Sequence, residues 1–155
     1  MTEKLQLVVS NRRHFILGAT AAATLLSLPK LGFAEDNGWK AAMEGLVGSS
    51  EADANRVSIE LPEIAENGNT VPFSVAVESP MTDEDHVKAV HVFATGNPRP
   101  DIGSFMFTPA NGVADASSRM RLGRTQDIVA VAEMSNGQVF MATQTVKVTI
   151  GGCGG

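Results

Sequence analysis

Hydrophobic and polar residues alternate along most of the chain, a pattern that indicates β-strands with one buried face. The alternation is clearest at Val71, Phe73, Val75 and Val77, which small or polar residues separate. The runs that predict strands are 57–61, 71–77, 87–94, 104–108, 118–122, 127–134 and 138–150.

Turn-forming residues separate these runs, and the Asn136-Gly137 pair is the strongest signal for a β-hairpin. Short strands with turns roughly every 10 residues predict an all-β fold, an immunoglobulin-like antiparallel β-sandwich over residues 35–150. Pro72 is expected to start a strand or lie on a sheet edge, because proline cannot donate a ladder hydrogen bond. Gln144 falls on the apolar parity of the last run, so a β-bulge is expected there.

A short helix is predicted ahead of the strands. Its apolar face comprises Trp39, Met43, Leu46 and Val47. These positions recur at helical spacing, Asp36 or Asn37 can cap the helix, and the segment 48–50 ends it. We expect the helix to pack on the edge of the domain, with a membrane or partner helix as the alternative.

The first 34 residues have the parts of an export signal. The twin arginine, Arg12 and Arg13, precedes an apolar run over 15–28, and small residues lead to a cleavage point after Ala34. This predicts a twin-arginine (Tat) signal peptide over 1–34 and a periplasmic protein. The alternative, a membrane-spanning helix, needs roughly 20 apolar residues, more than the run supplies.

The predicted mature chain, residues 35–155, is one acidic domain of 121 residues. It has 8 basic and 16 acidic residues, a net charge of −8. Nucleic acids and anionic membranes both need a basic face, so neither is an expected partner. Another protein's positive charge is expected to bring any anionic substrate to this chain.

The chain has one cysteine, Cys153, in the sequence Gly151-Gly152-Cys153-Gly154-Gly155. Glycine has no side chain to bury and loses the most entropy on ordering. Residues 151–155 therefore predict a flexible arm that reaches at most ~17 Å. One thiol in an exported protein forms no internal disulfide, so it is either reactive or paired between chains. The tail supplies no group that activates the thiol, so partner proteins are expected to do so.

The rest of the chain offers little for a self-contained enzyme, and we expect no catalytic residue and no metal site in it. His86 and His91 have no cysteine or carboxylate at metal-ligand spacing, and His91 is expected to be a half-buried structural histidine. Arg119, Arg121 and Arg124 form a cluster that is either a solvated strand face or a basic stripe for an acidic partner or anion.

Five stretches together resemble a known family. They are residues 108–112, 119–122, 125–126, 129–135 and 146–155, the last of which contains the Gly-Gly-Cys-Gly-Gly run. With the twin-arginine leader, they resemble the SoxY family, the sulfur-carrier subunits of the bacterial Sox thiosulfate-oxidation system.

The resemblance implies a periplasmic carrier that is not an enzyme, has an immunoglobulin-like fold and pairs with a second β-sandwich subunit, SoxZ. Pathway intermediates are then held covalently on Cys153 without a cofactor. Gly151, Gly152, Gly154 and Gly155 let a swinging arm enter partner active sites. The implied partners are haem-containing SoxAX, which couples thiosulfate to the thiol, and the hydrolase SoxB, which releases sulfate. The resemblance also allows the sulfane dehydrogenase SoxCD, and a higher oligomer linked by a Cys153–Cys153 disulfide.

The residues themselves leave other interpretations open. A structural or adhesive immunoglobulin-like module would use Cys153 only for an intermolecular disulfide. A metal-delivery protein would use a soft thiolate, but one thiol without a second cysteine or nearby histidine is a poor metal site. The apolar run 129–132 is consistent with a full core or with one face left for a partner subunit.

Overall fold

A computed structural model describes residues 38–48 and 55–152 of the chain. These residues form one α-helix, α1 (Gly38–Val47), a 3-10 helix (Pro109–Asn111) and eight strands. The strands are β1 (Val57–Glu60), β2 (Ile64–Asn67), β3 (Val71–Val77), β4 (Val87–Ala94), β5 (Asp101–Met106), β6 (Ala114–Met120), β7 (Gln126–Met134) and β8 (Val139–Ile150). The predicted all-β class with one short N-terminal helix is confirmed. Within the two described ranges, no helix is long and apolar enough to cross a membrane.

The strands form a two-sheet sandwich. One sheet has the order β1-β3-β6 and the other the order β2-β8-β7-β4-β5. The pairs are antiparallel except β2 and β8, which run parallel. The predicted sandwich is therefore confirmed, and the expectation of a purely antiparallel arrangement is wrong at this pair. Strand β2 has only four residues, too few to show an alternating pattern. The finer immunoglobulin-like assignment stays a prediction.

The Asn136-Gly137 turn joins β7 to β8, as predicted. Gly137 has a φ of +84°, which glycine adopts at little cost, and its N–H donates to the carbonyl of Met134 at 3.1 Å. The N–H of Met134 donates in turn to the carbonyl of Gln138 at 2.9 Å. This hairpin fixes the register of the strand that leads to the cysteine.

Two local expectations within the strands differ from the structure. Pro72 is the second residue of β3, the central strand of its sheet, so the predicted strand start is wrong by one residue and the alternative, a sheet edge, is wrong; proline is tolerated there because pairing with β1 begins only at Ser74. The expected bulge at Gln144 is wrong, because the β7–β8 register is continuous, with Gln144 opposite Ile128. The register shifts lie in β4 instead, between residues 87 and 89 and between 92 and 93.

Helix α1 lies on the outer face of the five-stranded sheet, where Met43 packs with Phe93, Val129 and Val131. The opposite face of this sheet supplies Ala130 and other residues to the core between the sheets. Residues 129–132 are each at most 1% exposed. Helix α1 thus buries the second face of this run, which settles the alternative that its sequence left open.

Helix α1 ends as predicted. Gly48 has a φ of +66°, and its N–H donates to the carbonyl of Glu44 at 3.0 Å. Other predictions lie outside the described residues and stay predictions. They concern Arg12, Arg13, the cleavage after Ala34, the cap at Asp36 or Asn37, and Cys153, Gly154 and Gly155.

Candidate functional site

Strand β8 carries the chain to the candidate site. It lies between β7 and β2, with residues 139–146 paired with β7 and residues 147–150 paired with β2. Thr125, just before β7, extends this support because its hydroxyl oxygen accepts a hydrogen bond from the N–H of Val148 at 3.0 Å. Beyond Ile150 the described chain continues through Gly151 and Gly152, and the next residue is Cys153.

Three separate segments are joined by a backbone ring, our name for the hydrogen-bonded set Gly68, Leu122, Ile150 and Gly152. The N–H of Gly68 donates to the carbonyl of Ile150 at 2.7 Å. The N–H of Leu122 donates to the carbonyl of Gly68 at 2.8 Å, and the N–H of Gly152 donates to the carbonyl of Leu122 at 2.9 Å. The ring therefore ties the residue before Cys153 to the turn after β2 and the loop after β6.

The glycines at the ring leave no room for a side chain. A Cβ on Gly68 would lie 2.2 Å from the carbonyl oxygen of Leu122. A Cβ on Gly151 would lie 2.2 Å from the carbonyl oxygen of Gly123, and one on Gly152 would lie 2.7 Å from that of Gly68. The close backbone approach therefore requires glycine at these three positions.

Two buried amide side chains support the loop that carries Leu122. Asn97 donates from Nδ2 to the carbonyl of Arg121 at 2.8 Å and accepts at Oδ1 from the N–H of Gly123 at 3.2 Å. Gln126 donates from Nε2 to Oδ1 of Asn97 at 2.8 Å and to the carbonyl of Arg124 at 3.1 Å. These bonds hold the backbone on both sides of Leu122.

The sequence reasoning did not assign this role to Asn97 or Gln126. One signal was present, because Gln126 has the parity of Ile128 and Ala130, which face the core. A polar residue at such a position must find hydrogen-bond partners when it is buried. Gln126 is 7% exposed and also accepts the N–H of Gly96 at 2.7 Å.

The three arginines of the predicted cluster are exposed at the same end of the sandwich. Arg119 and Arg121 line an open cavity of about 230 Å³ together with Arg99 and Asp101. Arg124 is not at this cavity; its side chain packs beside Gly96. The cluster is therefore solvent-exposed, with two of its members lining one cavity, and both predicted roles stay predictions.

His91 has the structural role that its position in β4 predicts. It is 6% exposed, more deeply buried than expected, and its Nδ1 lies 2.7 Å from the hydroxyl oxygen of Ser104. Burial lowers the pKa of His91 below 6.5, against the opposing effects of Glu133 and Asp101. Among residues 38–48 and 55–152, no three histidine, cysteine or acidic side chains are grouped to hold a metal ion.

Comparison with known proteins gives a consistent picture. The family model described as sulfur oxidation protein SoxY matches residues 43–153. The solved structure of the sulfur carrier protein SoxY from Chlorobium limicola f thiosulfatophilum is similar, with 32% identity and a TM-score of 0.61 over 72% of this chain and 96% of that one. The comparison with curated proteins finds no match.

Superoxide reductases share the fold only. The E23A neelaredoxin of Ignicoccus hospitalis is 17% identical, with a TM-score of 0.55 over 70% of this chain and 86% of that one. A putative superoxide reductase from Thermotoga maritima is 22% identical, with a TM-score of 0.52 over 63% of this chain and 87% of that one. At these identities the likeness says nothing about chemistry.

Proposed function

Because the chain belongs to the SoxY family of sulfur oxidation proteins, we propose that it carries thiosulfate-derived sulfur covalently on the thiol of Cys153. One observation carries the proposal: the family match runs to residue 153, and Cys153 is the only cysteine of the sequence. A carrier with one thiol has one attachment point. We place no catalytic residue in this chain.

The proposed loading step joins two sulfur atoms and releases two electrons. The thiol of Cys153 loses its proton, its sulfur bonds to the outer sulfur of thiosulfate, and a haem-containing partner, SoxAX, accepts the two electrons. The product is a protein-bound S-thiosulfonate. The acidic excess of the predicted mature chain fits this division of labour, since its net charge of −8 does not attract a dianion.

The proposed unloading step is a hydrolysis. A water molecule attacks the terminal sulfone in the active site of a partner hydrolase, SoxB, which releases sulfate and a proton and leaves a persulfide on Cys153. A sulfane dehydrogenase, SoxCD, then oxidises the remaining sulfur where it is present. We place these reactions in the periplasm, after twin-arginine export, with the chain paired to SoxZ.

Mass spectrometry of the intact protein tests the proposal. Protein isolated without reductant from thiosulfate-grown cells should carry sulfur or thiosulfonate adducts, and fragmentation should place them on Cys153. The Cys153→Ser variant should carry none, and reduction of the wild type should remove them. A bare thiol under all growth conditions would refute the carrier role. A stable disulfide between chains as the only form would support the structural module instead.

A further inference from the structure

We propose that Gly151 and Gly152 anchor the carrier segment to the sandwich through the backbone ring, and that Asn97 and Gln126 are positioning residues for this anchor. The inference rests on the proposed carrier role of Cys153. It assigns the two preceding glycines a function other than flexibility.

The surroundings of the glycines separate these two functions. A glycine that serves only as a flexible spacer has no need of a close approach to another backbone. Gly151 and Gly152 instead face backbone atoms of Gly123 and Gly68 closer than any Cβ contact allows. Their missing side chains therefore permit docking of one backbone on another.

Buried side chains hold the acceptor of the anchor, the carbonyl of Leu122, in place. The N–H of Gly152 donates to the carbonyl of Leu122, whose side chain is fully buried. On either side of Leu122, the amides of Asn97 and Gln126 hold the loop backbone by hydrogen bonds of 2.8–3.2 Å. Both amides are more than nine-tenths buried, so the loop cannot shift without leaving polar groups without partners.

The anchor shortens the free segment of chain that presents the thiol of Cys153. Three flexible chain steps from Ile150 to Cys153 would let the thiol travel roughly 10 Å, whereas one step from Gly152 covers about 3.8 Å between Cα atoms. A partner active site must therefore come close to the end of the sandwich. Its rim then contacts the turn at Gly68 and the loop at 121–124, both of which belong to the anchor.

Gly151→Ala and Gly154→Ala make a matched pair, because both place one methyl group in the same five-residue motif. Amide hydrogen exchange in the full mature chain should show the Gly152 N–H of the wild type exchanging roughly tenfold or more slowly than an unstructured amide. Gly151→Ala should remove this protection, and Gly154→Ala should leave it intact.

A spin-label distance provides a readout that global stability does not move. One nitroxide is attached to Cys153 and the other to Asp115→Cys, an exposed position in β6. In a chain with no further substitution, the distance distribution between them should be narrow. The distribution should broaden in Gly151→Ala and in Gln126→Met, which keeps the side-chain length but removes the amide. Gln144→Met is the control for the latter, since its position in β8 lies outside the ring.

The outcomes are separable from those of the carrier test. An unprotected Gly152 N–H in the wild type overturns the anchor, even if a variant fails to fold. Equal effects of Gly151→Ala and Gly154→Ala overturn it as well. Sulfur adducts on Cys153 of a chain with an unprotected Gly152 would refute the anchor alone. A protected Gly152 beside a thiol that is always bare would refute the carrier role alone.

Discussion

Alanine at Gly68 should destabilise the domain far more than alanine at Gly123, although both glycines lie beside the same tail. The new Cβ at Gly68 would lie 2.2 Å from the carbonyl oxygen of Leu122 and 2.7 Å from the nitrogen of Gly152. At Gly123 the nearest atom is the Asn97 Oδ1, 3.9 Å away, an ordinary contact. The two substitutions are chemically identical, so the difference isolates the backbone ring.

The size of the effect follows from the bonds that must open. Relieving the contact moves Gly68 about 1 Å from Leu122, which breaks the two ring hydrogen bonds that Gly68 makes, to Ile150 and Leu122, each with a net contribution of about 1 kcal/mol. The lower entropy of the unfolded alanine chain offsets about 0.4–1 kcal/mol. The net loss is about 1–1.5 kcal/mol, or roughly 5 °C in Tm for a domain of this size.

Urea unfolding of the mature chain, followed by circular dichroism, measures this difference. The urea midpoint of Gly68→Ala should fall with an unchanged m-value. The free energy of unfolding of Gly123→Ala should stay within about 0.5 kcal/mol of that of the wild type. Equal stabilities of the two variants would refute the reasoning, because they would mean that the tail backbone yields without cost.

Three further substitutions test other parts of the structure. Met43→Ala should cost about 2–4 kcal/mol, because Met43 is the residue of α1 that is buried against the sheet, and the emission of Trp39 should shift to the red. An unchanged spectrum would mean that α1 does not depend on this contact. The His91 pKa is lowered by burial, so its contribution to stability is complete above pH 6.5 and is lost as the pH falls through the folded-state pKa. Unfolding midpoints at pH 7.5 and 5.0 should therefore differ less in His91→Gln than in the wild type, and equal differences would contradict this origin. Cys153→Ser should leave the free energy of unfolding within about 0.5 kcal/mol of the wild-type value, whereas a larger loss would assign the thiol a structural role.

The strands were predictable where their local pattern carried the information. Strand β8 shows its alternating residues over twelve positions and follows a specific turn, so its prediction over 138–150 differs from the observed strand by one residue. Strand β2 has four residues and takes its place from β8, which no local pattern reveals. The parallel pairing went unpredicted for the same reason.

Only part of the candidate site was predictable from the sequence. Cys153 was identifiable because a lone thiol among glycines is chemically distinctive in the sequence itself. The backbone ring was not identifiable, because it joins residues 68, 122 and 152, which are far apart in sequence and take part through main-chain atoms. Side-chain patterns carry no record of such contacts, and only the inward parity of Gln126 indicated a polar support beneath the loop.

The placement of β8 inside its sheet also has a mechanical consequence. Under the carrier role proposed above, a partner that binds Cys153 and then separates pulls on the C-terminal end of β8. Because residues 139–146 of β8 are paired with β7 and residues 147–150 with β2, such a load shears the hydrogen bonds of both pairings together and does not open them one by one. In this arrangement the strand that leads to Cys153 resists tension applied at its C-terminal end.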